Sequence, residues 1–266
     1  MKESGNELFN FYIFFNILSI RWFFMEAFKK ILKGRRNLVF IDFEGTQFSH
    51  EIIAVGCVKV KCDENGFIDT FNYEAFRKYV KCYGSIGKIV SELTSINNEK
   101  LKYEGVILEE MLNEIEAFVG EDINETAFIV FGSNDVKMLV DSISYSKPSN
   151  DFIGYGICKR TIDFLSFISQ YIKDKNGNNY SLTNYLKVFG LEPCGQSHDP
   201  LNDAIDLMNL YDAFMRDKEI KDREYLQVLK NQKLFPTPVR KMINKLLNGD
   251  SITPEEFKKE VHKYLE

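Results

Sequence analysis

Two carboxylates close the apolar run Leu38-Val39-Phe40-Ile41-Asp42-Phe43-Glu44. A continuous apolar run suits a strand buried on both faces, and residues two apart on a strand point the same way, so Asp42 and Glu44 share a face while Phe43 packs on the other. Like charges side by side at the end of a buried strand repel each other and lose hydration. They call for a proton or, more usefully, a divalent cation. An isolated D-x-E also fits a solvated turn, so the decision rests on the rest of the chain. Two further segments bring acids to element ends: the apolar run 127–131 stops at Gly132-Ser133-Asn134-Asp135, and Ser197-His198-Asp199-Pro200-Leu201-Asn202-Asp203 sets a histidine five residues before an aspartate.

The elements that would carry these residues follow from periodicity and turn chemistry. After the first strand, the β-branched run 51–61 and the turn Asp63-Glu64-Asn65-Gly66 lead to a third strand over 67–76, an antiparallel start to a sheet. Apolar residues at Leu108, Met111, Leu112, Ile115 and Phe118 give one face of a helix over 108–119. A short strand over 127–131, a helix through Val136, Leu139 and Val140, a fifth strand over 157–162 and helices over 165–172 and 182–189 follow, with an exposed turn at 174–179. Asp199 suits a helix N-cap and Pro200 the first helical position, so a helix begins there and runs to about Met215. His198 then stands just outside that helix and Asp203 within it, while Ala204 permits a neighbouring strand to come close. The order of elements predicts an α/β fold, a mixed β-sheet flanked by helices.

Bulk properties narrow the function classes. A chain of 266 residues with 44% hydrophobic and 27% charged residues can bury a full core, and its net charge of -5 argues against a protein that coats nucleic acid over its whole surface. Five cysteines without a C-x-x-C pair, and three histidines, make a poor zinc site and fit a reduced, cytoplasmic setting. The apolar stretch 8–25 is interrupted by Asn10, Asn16, Ser19 and Arg21 and lacks an A-x-A-type cleavage site, so no stable membrane insertion is expected. Residues 1–36 read as an N-terminal leader, of which a start at Met25 would omit the first 24; a peripheral helix and a membrane anchor are the other readings. Residues 216–266 read as a helical C-terminal extension with a capping box at Thr253-Pro254-Glu255-Glu256. Its basic residues Lys230, Lys233, Arg240, Lys241 and Lys245 fit a solvated face better than a phosphate-binding patch.

In chain order, D-x-E, then D, then H-x-x-x-x-D resembles the DEDDh exonucleases, the DnaQ-like branch of the ribonuclease-H-like superfamily. The resemblance spans residues 37–215 and includes Glu92 to Leu101, similar to the segment between the first two acids, and 182–191, similar to the helix before the last motif. Two departures stand out: Pro200 where the family usually has Ala or Gly, and GSNDVKML around Asp135. The resemblance implies a metal-dependent 3'-to-5' exonuclease that releases 5'-mononucleotides from single-stranded RNA or DNA ends, RNA slightly favoured by the DFEG form of the first motif. It implies two magnesium or manganese ions, held by Asp42, Glu44, Asp135 and Asp203. Hard oxygen ligands suit these ions, and a pair of them can stabilise charge on the entering and leaving oxygens of a phosphodiester. His198 would be the general base, with Glu44 also catalytic through its hold on the ion that activates water. Glu44, Gly45 and His198 would meet the terminal nucleotide, Gly45 by leaving room against the backbone. A proofreading role would need a nucleoprotein partner, since no polymerase segment is present. Asp141, Asp163, Asp206 and Glu51 are expected to be caps or surface charges. The alternative is a catalytically weak module of the same fold that binds nucleic acid or a partner.

Overall fold

The computed structural model describes residues 27–232 and 235–266. The expected leader lies largely outside these residues. Its described end is a helical stretch, α1, over residues 27–32, whose Phe28 and Leu32 enter the core. Five strands follow in a single mixed sheet: β1 (Asn37–Gly45), β2 (Ile52–Lys61), β3 (Glu74–Tyr79), β4 (Thr126–Val130) and β5 (Thr161–Asp163), in spatial order β3-β2-β1-β4-β5. The first three are antiparallel, whereas β4 runs parallel to both β1 and β5. The longest apolar run thus becomes the central strand.

Period-two geometry divides β1 between two cores. Val39, Ile41 and Phe43 pack against α4 (Leu108–Val119), α5 (Asn134–Ser146) and α6 (Asp151–Arg160). Leu38 and Phe40 face the other layer, with α7 (Phe164–Ile168), α8 (Leu182–Val188) and α9 (Pro200–Arg216). Asp42 and Glu44 continue the Leu38 and Phe40 row, so both emerge on the α9 side at the strand's end. Phe43 is buried in the opposite core, as its spacing requires. Two short helices, α2 (Lys88–Thr94) and α3 (Asn98–Glu104), lie beside the β2–β3 end of the sheet, where Ile86, Ile96 and Leu101 join Ile53 and Ala54 in a small third core.

Helix α9 is the element that completes the site, and three features fix it. Asp199 caps it, accepting from the Leu201 and Asn202 N–H groups, with Pro200 in the first turn. Farther along, the buried Tyr211 ring stacks edge-on to Phe40 of β1 at 5.3 Å between centroids, and its hydroxyl donates to the Gly66 carbonyl at 2.6 Å. At its start α9 lies directly on Gly56 of β2: a Cβ there would sit 2.2 Å from the Pro200 carbonyl carbon and oxygen and 2.3 Å from the Leu201 nitrogen. A glycine inside a strand commonly marks such a close approach. Ala204, fully buried, also serves the packing of this helix.

Several expected boundaries move. The third strand is not 67–76 but Glu74–Tyr79, because Asp63 Oδ1 accepts from the Asn65 and Phe67 N–H groups and Asp69 Oδ1 from that of Phe71, turning the chain twice before it pairs with β2. Of the fifth strand expected over 157–162, residues up to Arg160 close α6, with Ile153 and Ile157 buried one turn apart, and Thr161–Asp163 alone pair with β4. The helix expected over 165–172 is shortened to α7, capped by Asp163 and succeeded by turns. The last three helices, α10 (Lys218–Lys230), α11 (Thr237–Leu247) and α12 (Pro254–Leu265), form the C-terminal region. Lys241 pairs with Glu260 and Lys245 with Glu256 between α11 and α12, which accounts for two of the basic residues as paired surface charge; Lys233 lies outside the described residues. Among the described residues no helix is long and apolar enough to cross a membrane, and the stretch 8–25 lies outside them.

The Gly56 contact yields a prediction. Gly56→Ala pushes a side chain into α9's backbone, which cannot swing aside as a side-chain tip could. Destabilisation of about 1–3 kcal/mol is expected, a drop of about 2–10 °C in Tm by calorimetry. An unchanged Tm would show that α9 does not rest on β2 here.

Candidate active site

The parallel ladder between β4 and β1 ends at the Phe40–Ile129 pair, which leaves the last residues of β1 without a strand on that side. Asp135, in the first turn of α5 just beyond β4, takes up the place: its Oδ1 accepts from the Phe43 N–H at 3.0 Å. The carboxyl is 5% exposed and lies beside the D-x-E pair it was expected to join. The unusual GSNDVKML context therefore still delivers an aspartate to the end of β1.

From the opposite layer α9 delivers Asp203 and the loop before it delivers His198. The register across the sheet explains how: Asp42 pairs with Gly56, and Gly56 with Arg77 on β3. The first turn of α9 lies along this row, with Pro200 over Gly56 and the Asp199 Oδ2 taking a 2.8 Å hydrogen bond and ion pair from Arg77. His198 adopts φ 65°, uncommon for a non-glycine residue, and its N–H donates to Asp203 Oδ2 at 3.0 Å. Its Nδ1 lies 3.6 Å from Glu44 Oε1, and the imidazole is 49% exposed against 15% for the Glu44 side chain. Ligand atoms of Glu44, His198 and Asp203 all lie within 4.8 Å of one another, close enough to share one cation.

The electrostatics follow from this crowding. Burial first, then the charges of Asp135, Glu44, Asp203 and Asp199, hold the Asp42 carboxyl well above its ordinary range. Burial and the charges of Asp203, Asp135 and Asp199 push Glu44 up to about 8. Asp135 is raised to about 7, chiefly by burial and against the opposing Phe43 hydrogen bond; Asp203 is raised to about 6 by burial, moderated by its bond to the His198 N–H and by the imidazole. Carboxyls in this state hold protons, or yield them to a cation. A donor set dominated by carboxylate oxygens, with one imidazole beside it, suits a hard divalent ion.

Other expectations fare differently. A Cβ on Gly45 would lie 2.5 Å from Met138 Sδ of α5, so the missing side chain also makes room for the helix that carries Asp135. Glu51 is not a surface charge. It is 4% exposed, accepts from Ser49 Oγ and from the Tyr83 and Gly84 N–H groups, and ties the β1–β2 turn to the loop after β3. Asp206 is also buried, with Oδ1 accepting from the Cys194 N–H. Asp163 is the expected cap, of α7, and also accepts from the Gly132 N–H. Asp141 is half-buried on α5. Arg77 and Gly56 were not singled out by sequence; a lone glycine within the run 51–61 was the one available signal.

A mixed sheet with this acid-and-imidazole cluster at the end of its central strand is the architecture of ribonuclease-H-like exonucleases, and solved structures bear out the likeness. The nuclease domain of 3'hExo, a DEDDh family member, bound to rAMP, has a TM-score of 0.56 at 18% identity over 69% of this chain and 93% of that one. Cell-death related nuclease 4 (CRN-4) gives 0.53 at 16% over 68% and 64%, and the zinc-bound E. coli ExoI–ssDNA complex gives 0.53 at 15% over 77% and 46%. No curated protein sequence matches significantly. The Exonuclease (RNase_T) profile matches residues 39–211, from β1 to α9, and the chain belongs to this exonuclease family.

The raised carboxyls make stability pH-dependent. Without a cation, the folded chain binds more protons than the unfolded one between the ordinary carboxylate range of about 4 and the raised values, so stability falls as pH climbs to about 8. A thermal-melt series in EDTA is expected to show Tm declining from pH 5 to 8. Magnesium or manganese at a hundredfold excess over Kd should restore about 2.7 kcal/mol at pH 8, and the same concentration less at pH 5.5. A flat difference across pH would mean that the acids do not bind the ion.

Proposed function

We propose that the chain hydrolyses phosphodiester bonds at single-stranded 3' ends, releasing 5'-mononucleotides with the help of two divalent ions, magnesium or manganese. The observation that supports this most is the convergence on Glu44 of Asp203 and His198 from one layer, while Asp135 is bonded to the same strand from the other. Asp42, Glu44, Asp135 and Asp203 would hold the ions, which when bound neutralise the acids and stabilise charge on the entering and leaving oxygens. Asp135 keeps one oxygen on Phe43 N–H and Asp203 one on His198 N–H, so each carboxylate is oriented and has its second oxygen left for the site. His198, at the exposed rim beside Glu44, is the general base that takes the proton of the attacking water. Its half-exposed ring can then pass that proton to solvent. Glu44, His198 and the Gly45 backbone would line the seat of the terminal nucleotide.

Pro200, the departure that favoured a binding-only module, sits as the first-turn proline of α9 on Gly56 and leaves His198 next to Glu44. RNA is the slightly preferred polymer on the DFEG sequence. The five cysteines are free, which favours a reducing, cytoplasmic compartment. We also take 37–215 as the exonuclease domain and 216–266 as its extension.

Trimming of 3'-labelled, matched RNA and DNA oligonucleotides tests the reading. Magnesium-dependent release of 5'-mononucleotides is expected, abolished by EDTA, and reduced about 100-fold or more in kcat by Asp42→Ala or His198→Ala. Oligonucleotide bound equally well in EDTA and never shortened would leave a binding module instead.

A further inference from the structure

The segment that presents His198 has no regular structure of its own, yet three side chains from the first two turns of α9 reach back to hold its backbone. Asp203 Oδ2 accepts from the His198 N–H at 3.0 Å, Asn202 Nδ2 donates to the Gln196 carbonyl at 3.3 Å, and Asp206 Oδ1 accepts from the Cys194 N–H at 2.9 Å. The Cys194 thiol adds a contact to the Asn202 carbonyl at 3.3 Å. Of these three side chains Asp206 is the buried one, at 4% exposure, where Asp203 and Asn202 are half-buried. A carboxylate so placed needs donors, and Cys194 supplies them, through its N–H and also its thiol. His198 is half-exposed and backbone-strained at φ 65°, so its place depends on the loop being fixed at both ends.

We propose that Asp206 is a positioning residue for His198. By holding Cys194 it fixes the start of the loop whose end carries the imidazole, while Asp203 fixes the end. This rests on His198 acting as the base. A displacement of about 1 Å in a catalytic group is worth up to about 100-fold in rate, so a loosened loop start should appear in turnover rather than in substrate binding.

The test uses the full chain in single-turnover trimming with magnesium. Asp206→Ala is expected to lower the rate about 10- to 100-fold with KM within about twofold. Asp206→Asn, which keeps an acceptor for the Cys194 N–H, should retain the rate within about threefold. In the His198→Ala background, adding Asp206→Ala should cost nothing further, because a residue acting through His198 has nothing left to act on. Hydrogen exchange should quicken in the peptide over 194–198 and nowhere else. If Asp206→Ala does not fold, Asp206→Leu, which keeps the volume without the acceptor, carries the same arms. An equal loss in both backgrounds, or an Asn variant as slow as the Ala variant, overturns the proposal and leaves the function intact. A His198→Ala single variant with full activity overturns the reading of His198 and this proposal with it.

Discussion

Carboxylates forced together at the end of one buried strand are the constraint on which the molecule depends. Two like charges 4 Å apart repel by about 4 kcal/mol at an effective dielectric of about 20. Here Asp42 and Glu44 on β1 face Asp203 from α9 and Asp135 from α5, all partly or fully withdrawn from water. Among the described residues, the charges that act most on these four acids are one another's, those of Asp163, Asp199 and Asp206, and the His198 imidazole, so little neutralising charge surrounds them. What the fold supplies is rigidity. The acids stay together because the backbones carrying them are pinned, mostly by packing and backbone contacts.

Those pins are spread over both layers. On one side Met138 fills the space beside Gly45 and the Phe43 N–H captures Asp135, so α5 is locked to the strand it serves. On the other, Tyr211 against Phe40 and the α9 backbone against Gly56 set the helix across the sheet, and Arg77 holds its cap. The row Asp42, Gly56, Arg77 across three antiparallel strands thus works as a template: an acid, a gap for a helix, and an anchor for its first residue. The stretch before α9 then needs only short polar ties to bring His198 to Glu44.

The sequence made much of this legible, because the chemistry lies at element ends that carry strong local signals. The apolar run into Asp42, the Asp199-Pro200 helix start and the amphipathic spacing of 108–119 each specify an element with little tertiary help, and motif order joined them into one site. What sequence missed depends on contacts distant along the chain. The strand at Glu74–Tyr79 is set by its pairing with β2; the turn at Asp63 was legible, but the second, led by Asp69, that delays the strand was not. Ile157 reads equally as strand or helix until α6 packs it against the core beside Ile153. Burial of Glu51 and Asp206 could not be foreseen, since each is satisfied by backbone N–H groups from a loop packed against it. The packing of α5 against Gly45 was equally hidden, because it comes from 93 residues away, at Met138.

The decisive property of these acids is whether they assemble as a divalent-cation site. A crystal soaked with manganese and a nucleoside 5'-monophosphate, with data collected at the manganese absorption edge, measures this directly. Two anomalous peaks enclosed by Asp42, Glu44, Asp135 and Asp203, with the phosphate between them and His198, are the predicted result. An acidic cluster without metal while manganese occupies other sites, or a lysine or arginine folded in to neutralise it, would contradict the account.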